Sequence, residues 1–145
     1  MFLGSATGLS ANYVWSATGT PAVVGAQIPN VDKFGYSVDG AGDVNGDGFN
    51  DVIIGAWGYP KLNGAGTPNT QSGRVLVYYG NNSAQGLSTN PDWISYATFI
   101  SANYGFSVAS AGDVNGDGFG DIIIKHQPIL LHQVPFLFST VVVQD

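Results

Sequence analysis

The sequence predicts an all-β fold, and three features of its 145 residues carry that prediction. The apolar runs are short and rich in β-branched and aromatic residues; Gly, Asn, Asp and Pro punctuate them; and no stretch combines a 3.6-residue apolar period with convincing caps. In chain order the expected strands are Tyr36-Ser37-Val38, Val52-Ile53-Ile54, Val75-Leu76-Val77-Tyr78-Tyr79 and, more weakly, Trp93-Ile94-Ser95-Tyr96. They make one unit of about four strands.

That unit recurs. Phe34-Gly35-Tyr36-Ser37-Val38 through Ile54 returns without a gap as Tyr104-Gly105-Phe106-Ser107-Val108 through Ile124, an offset of 70 residues, and Ala-Gly-Asp-Val-Asn-Gly-Asp-Gly-Phe is identical at 41–49 and 111–119. A weaker echo, at an offset of 78, pairs Gly8-Leu9-Ser10 and Trp15 with Gly86-Leu87-Ser88 and Trp93. Repeated antiparallel sheets of this size, each burying its faces against its neighbours, predict blades of a β-propeller. A sandwich is the competing all-β reading, but it gives no reason to repeat one loop at a fixed offset. The chain divides into the end of one blade (1–33), a complete blade (34–103), the start of a third (104–124) and a divergent apolar tail (125–145).

Composition narrows the chemistry. With 44% apolar and 10% charged residues the chain can bury a core. Lys33, Lys61, Arg74 and Lys125 are too few and scattered for the positive stripe that nucleic acid requires. The lack of cysteine removes disulfides, thiolate metal sites and cysteine nucleophiles. No run reaches the roughly 18 apolar residues of a membrane helix, and Met1-Phe2-Leu3-Gly4 lacks the basic start of a secretory signal.

The acidic residues are all Asp, and six of the ten fall within 43–51 and 113–121. Each stretch reads Asp-x-Asn-x-Asp-Gly-x-x-Asp: Asp43, Asn45, Asp47 and Asp51, then Asp113, Asn115, Asp117 and Asp121. Positions 1, 3 and 5 can aim three side-chain oxygens at one centre, Gly48 and Gly118 permit the sharp turn that follows, and Phe49 and Phe119 can add backbone carbonyls. The Asp at position 9 can close the shell. An all-oxygen, flexible set suits Ca²⁺ better than Mg²⁺, so two structural calcium sites are expected. Carboxylates about 5 Å apart repel by roughly 1 to 3 kcal/mol per pair, a cost that a cation offsets. The plainer reading, that Asp, Asn and Gly are good turn formers, fits a single copy better than two. An EF-hand or dockerin-like loop would need a liganding residue at position 12, where Ile54 and Ile124 stand.

Taken together, Phe34-Gly35, the Asp43 to Asp51 loop and Gly55-Ala56 resemble the FG-GAP repeat family, found in the integrin alpha-chain β-propeller and in many bacterial surface proteins; Trp57 replaces the family's proline. The resemblance implies a calcium-stabilised propeller of about seven blades, of which this chain holds an incomplete ring. It implies an extracellular or cell-surface binding and adhesion module that takes protein or glycan ligands and is not an enzyme. The alternative is the propeller portion of an extracellular hydrolase or lyase. Outside the loops, however, only Asp32, Asp39, Asp92 and Asp145 remain, none with a His or Lys arranged nearby to act as acid or base.

After Ile124 the pattern stops. All 21 glycines lie in the first 120 residues, and Pro128 and Pro135 interrupt an apolar tail in a way that argues against a membrane span. Interruption of the natural repeat, by truncation or a shifted reading frame, is the expectation, and with it a working molecule that is a longer chain. Residues 1–145 alone are expected to self-associate, because an open blade array leaves its end faces exposed. His126 and His132 have no catalytic partner in the sequence. Trp15, Trp57 and Trp93 are expected in blade packing rather than a glycan platform. Asn81-Asn82-Ser83 fits an N-glycosylation pattern and predicts an exposed loop. Lys33, Lys61 and Arg74 are expected to be solvated surface charges.

Overall fold

A computed structural model describes residues 1–20, 32–62, 68–97, 102–126 and 139–142, and among them there is no helix. Eleven strands form: β1 (Gly4–Ser5), β2 (Gly8–Leu9), β3 (Ser37–Gly42), β4 (Asp51–Ala56), β5 (Pro60–Leu62), β6 (Pro68–Gln71), β7 (Arg74–Tyr78), β8 (Trp93–Tyr96), β9 (Ser107–Gly112), β10 (Asp121–Lys125) and β11 (Ser139–Val142). The central unit is a four-stranded antiparallel sheet in the order β3-β4-β7-β8. These are the four strands expected from the β-branched runs, ordered as a meander. Two pieces were not expected. A β5–β6 hairpin interrupts the path from β4 to β7, and β1 pairs with β2 near the N-terminus.

The second repeat forms a three-stranded sheet, β9-β10-β11. Its β9 and β10 reproduce β3 and β4, including a register shift beside the first residue of β10 and at the Gly40/Gly42 step of β3. The extra residues, Ala41 and Ala111, are β-bulges, each followed by a glycine of positive φ (Gly42 at 77°, Gly112 at 72°). The bulge turns the chain out of the sheet into the aspartate loop. In the glycine-free tail, Ser139–Val142 pairs with β10 on the side that corresponds to β7. The β-branched run there supplies a third strand without the repeat's sequence.

Alternation along β4 and β7 sorts side chains onto two faces. Ile53, Val75 and Val77, with Ala41, face the second sheet and pack with Val108, Ile122 and Ile124. Ile54, Leu76 and Tyr78 face the other way, toward Trp15 and Leu87. Trp15 meets Tyr78 edge-on with ring centroids 4.9 Å apart, and its Nε1 donates to the Ser88 carbonyl at 2.8 Å. Trp93 packs against the cluster between the sheets, so Trp15 and Trp93 serve blade packing as expected. Trp57 joins a cluster with Tyr36 and Phe106.

The sheets approach closely at Gly55 and Gly105. A Cβ on Gly55 would run into the Gly105 carbonyl, and Ser37 Oγ donates to that same carbonyl at 2.9 Å. Absence of a side chain at both positions is what lets β4 lie against the start of the second repeat.

Arg74 corrects an expectation. Instead of a solvated surface charge it is 7% exposed, with a guanidinium nitrogen 3.0 Å from Asp32 and the guanidinium stacked on Tyr59 at 4.2 Å. Asp32 is also buried, and its carboxylate accepts from Thr20 N, Thr20 Oγ1 and Phe34 N as well. The pair ties the N-terminal segment, the entry to β3 and the start of β7 together. Lys33 adopts a positive φ of 57° and places its ammonium 6.0 Å from the centre of Trp57. Lys61, His132 and Asp145 have side chains outside the described part of the structure, as do the two tail prolines.

Removing one member of a buried ion pair strands the other. Asp32→Ala is expected to lower unfolding free energy by about 3 kcal/mol or more in chemical denaturation. A loss below about 1 kcal/mol would place the pair among weak surface contacts.

Candidate metal centre

Each aspartate loop is held by the same hydrogen bonds. In the first, Asp43 Oδ1 accepts from the amides of Gly46 (2.8 Å) and Asp47 (3.0 Å), and Asp43 Oδ2 from Gly48 (2.7 Å). Asn45 Oδ1 accepts from Asp47 N, Asp47 Oδ1 from Phe49 N, and Asn45 Nδ2 donates to Asp47 Oδ2. In the second, Asp113 takes the amides of Gly116, Asp117 and Gly118, while Asn115, Asp117 and Phe119 repeat the remaining contacts. These are nested Asx turns, with positive φ at Gly46, Gly48, Gly116 and Gly118 letting the backbone curl round the first Asp. The loop therefore has an internal scaffold of its own, as the plain turn-former reading requires.

Position 9 is different. Asp51, the first residue of β4, is buried and accepts from Val44 N (2.8 Å, Oδ2) and Gly80 N (2.8 Å, Oδ1). One carboxylate thus fastens the loop to the second residue past the end of β7. Burial pushes its pKa above the ordinary carboxylate value; the Gly80 and Val44 amides pull it down, and the negative charges of Asp47 and Asp43 push it up again. Asp121 is equally buried and takes Val114 N at 2.7 Å through Oδ2. Its Oδ1 has no hydrogen-bond partner among the described residues.

The two loops lie side by side. Gly120 N donates to the Asp43 carbonyl at 2.7 Å, and the Phe119 ring sits directly over Gly46. A cation at either loop would therefore also act on the seam between the sheets.

Whether these residues suit calcium divides into two questions. By donor type they do: Asp43, Asn45, Asp47 and Asp51, with the Phe49 carbonyl, offer only oxygen, and Asp113, Asn115, Asp117, Phe119 and Asp121 repeat the set. By placement, no group of three or more acidic or imidazole side chains among the described residues stands ready to hold a metal ion. The carboxylates are turned onto the loop's own amides. A carboxylate has about four lone-pair sites, so Asp43, with three amides, is not saturated. The loops have calcium-type donors in a shape closed by backbone amides.

The three carboxylates outside the loops that are described serve structure. Asp32 pairs with Arg74, Asp39 Oδ2 accepts from Ser110 N at 3.3 Å, and Asp92 Oδ2 accepts from Tyr79 N at 2.8 Å. The sequence does not reveal these contacts, since Arg74, Ser110 and Tyr79 lie 42, 71 and 13 residues from their carboxylates. A charge abutting a β-branched run, as Arg74 abuts Val75-Leu76-Val77, was the one available signal.

Residues 34–78 match the family model described as FG-GAP repeat. The chain is 32% identical over 109 residues to "Integrin alpha-IIb" of Mus musculus, 36% over 113 residues to "Integrin alpha pat-2" of Caenorhabditis briggsae, and 33% over 115 residues to "Integrin alpha-E" of Mus musculus. Those matches take in 74%, 72% and 75% of this chain and 9%, 8% and 9% of the relatives. The chain spans less than a tenth of the length of these relatives.

Replacing Asp51 tests the loop's anchor apart from any ion. Asp51→Ala strands two buried amides, and at about 1 to 3 kcal/mol for each unsatisfied group it should destabilise the fold by several kcal/mol even in chelator. Asp47→Ala, at an exposed position, should cost under about 1 kcal/mol in the same buffer. Equal losses in denaturant melts would show that Asp51 is not the anchor.

Proposed function

We propose that this chain, whose residues 34–78 match the FG-GAP repeat model, is a calcium-binding, integrin alpha-like β-propeller module acting in binding or adhesion at the cell surface. The observation that carries the reading is the exact recurrence of one all-oxygen loop, with the same hydrogen bonds, at the same corner of two packed sheets. Asp43, Asn45, Asp47, the Phe49 carbonyl and Asp51 would hold one ion; Asp113, Asn115, Asp117, the Phe119 carbonyl and Asp121 would hold the other. The ion would supply positive charge where three carboxylates are crowded into nine residues, and would brace the seam formed by Gly120 and Asp43.

The role proposed is non-catalytic. Resemblance to integrin alpha chains supports it, as does the engagement of Asp32, Asp39 and Asp92 in structural contacts. The extracellular address and the protein or glycan class of ligand rest on the same resemblance. Millimolar extracellular calcium suits loops of this kind. No helix among the described residues is long and apolar enough to cross a membrane.

Calcium binding to the folded state alone should add about 2.7 kcal/mol of stability at a hundredfold excess over the dissociation constant. Thermal melting of the chain in calcium, magnesium or chelator is the direct check. Calcium should raise the midpoint more than magnesium does, and Asp47→Ala combined with Asp117→Ala should abolish most of the gain. A melt indifferent to calcium would remove the ion from the reading.

A further inference from the structure

The sequence contains one Asn-x-Ser/Thr triplet, Asn81-Asn82-Ser83, with no proline inside it or just after it. That pattern is the acceptor signal for N-linked glycans on secreted chains. A triplet alone arises often by chance. What the fold adds is where it stands and which of its atoms are left unused.

β7 and β8, the third and fourth strands of the complete blade, are joined through residues 79–92, and a bridge between Gly80 and Leu87 closes the tip of the connection. Within the tip, Asn81 N donates to the Gly86 carbonyl at 3.1 Å and Gly86 N to the Ser83 carbonyl at 3.0 Å, so residues 81–86 make a compact turn. Gly80 N is the amide that Asp51 holds, which fixes the base of the turn to the sheet. Both flanking strands are present and paired with each other, and residues 81–86 belong to neither apolar cluster. The turn is free of any blade-to-blade contact.

Asn81 Oδ1 accepts from Ser83 N at 2.9 Å, an Asx turn. That bond engages the oxygen end of the carboxamide. The nitrogen end, with two N–H donors, has no partner among the described residues, and neither has the Ser83 hydroxyl. Asn82, Ser83, Ala84 and Gln85 are exposed. Beside them lies an open trough of about 400 Å³ walled by Ser83, Gln85, Ser88, Thr89 and Asn90, with no Lys or Arg in its lining. Hydroxyls and amides pair with sugar hydroxyls as donor or acceptor, so an attached sugar meets hydrogen-bonding surface there.

We propose that Asn81 is an acceptor for an N-linked glycan. The donor class is an oligosaccharide carried on a polyprenyl diphosphate in the lumen of the secretory pathway, and the inference therefore rests on the cell-surface address proposed above. Asn81 Nδ2 bonds to C1 of the reducing-end sugar as the bond from C1 to the diphosphate oxygen breaks. The electron pair leaves with the diphosphate, one of the two amide protons passes to a base of the transferase, and nothing is oxidised or reduced. One N–H stays on Nδ2, and the Oδ1 bond to Ser83 N is kept.

The whole chain, placed behind a cleavable leader, is passed through the secretory pathway of a eukaryotic cell. Secreted and lumenal material are both treated with peptide-N-glycosidase in heavy-oxygen water, which marks each formerly linked Asn for peptide mass spectrometry, so poor export does not hide the result. The parent should carry a single glycan, at Asn81, in most chains. Asn81→Gln and Ser83→Ala should each remove it, whereas Ser83→Thr, which keeps the hydroxyl, should retain it. Far-UV circular dichroism of the two glycan-free variants should match that of the deglycosylated parent, because the anchor at Gly80 N is untouched. An unmodified Asn81 in the parent, or equal occupancy in Ser83→Ala and Ser83→Thr, would overturn the proposal. Since the leader supplies the address, failure here counts against the acceptor alone; the cell-surface reading fails instead if the natural chain is found in the cytosol.

Discussion

The carboxylate at the head of the second strand of each repeat is the constraint from which the rest of the unit follows. Asp51 is buried, and its two oxygens hold an amide of the loop before it and an amide just beyond β7. Those bonds fix where the loop leaves the sheet, hence where the bulge at Ala41 must fall, and hence which side chains of β3 and β4 face the neighbouring blade. Ionised carboxylates accept stronger hydrogen bonds than neutral groups do. The cost of burying the charge is offset only while both amides are in place. Among the described residues Asp121 shows one of these two bonds, Oδ2 accepting from Val114 N.

Between the sheets, the same residues meet a different requirement. Ile53, Val75 and Val77 on one side and Val108, Ile122 and Ile124 on the other make a continuous apolar layer, and Gly55 against Gly105 sets how closely the sheets can come. Sheet packing of this kind is directional: one face of a blade fits the opposite face of the next. A repeat protein gains stability from such nearest-neighbour interfaces as well as from each unit. The aspartate loops, brought together at one edge of that layer, are where added positive charge would act on two units at once.

Much of the fold was legible because local sequence and burial agree. Val52-Ile53-Ile54 and Val75 to Tyr78 read as strands since both faces are covered, and the recurrence of Ala-Gly-Asp-Val-Asn-Gly-Asp-Gly-Phe located the loops without any structure. Arg74 was misread because its partner, Asp32, lies 42 residues away. The β5–β6 hairpin was missed since its strands carry Pro60 and Pro68 and lack a β-branched run. Strand β11 was hidden in a tail that shares no repeat residues, although its own β-branched content suits the place it takes beside β10. The loop ligands were readable as donors. Their turn onto the loop's own amides was not, because which lone pair faces an amide is decided by backbone curl and not by residue type.

The proposal that the twin loops are one calcium device used twice is met most directly by counting ions. Equilibrium dialysis of the folded chain against calcium should give two ions per chain in the parent and one in Asp117→Ala. A parent that retains no calcium at millimolar free ion would contradict it.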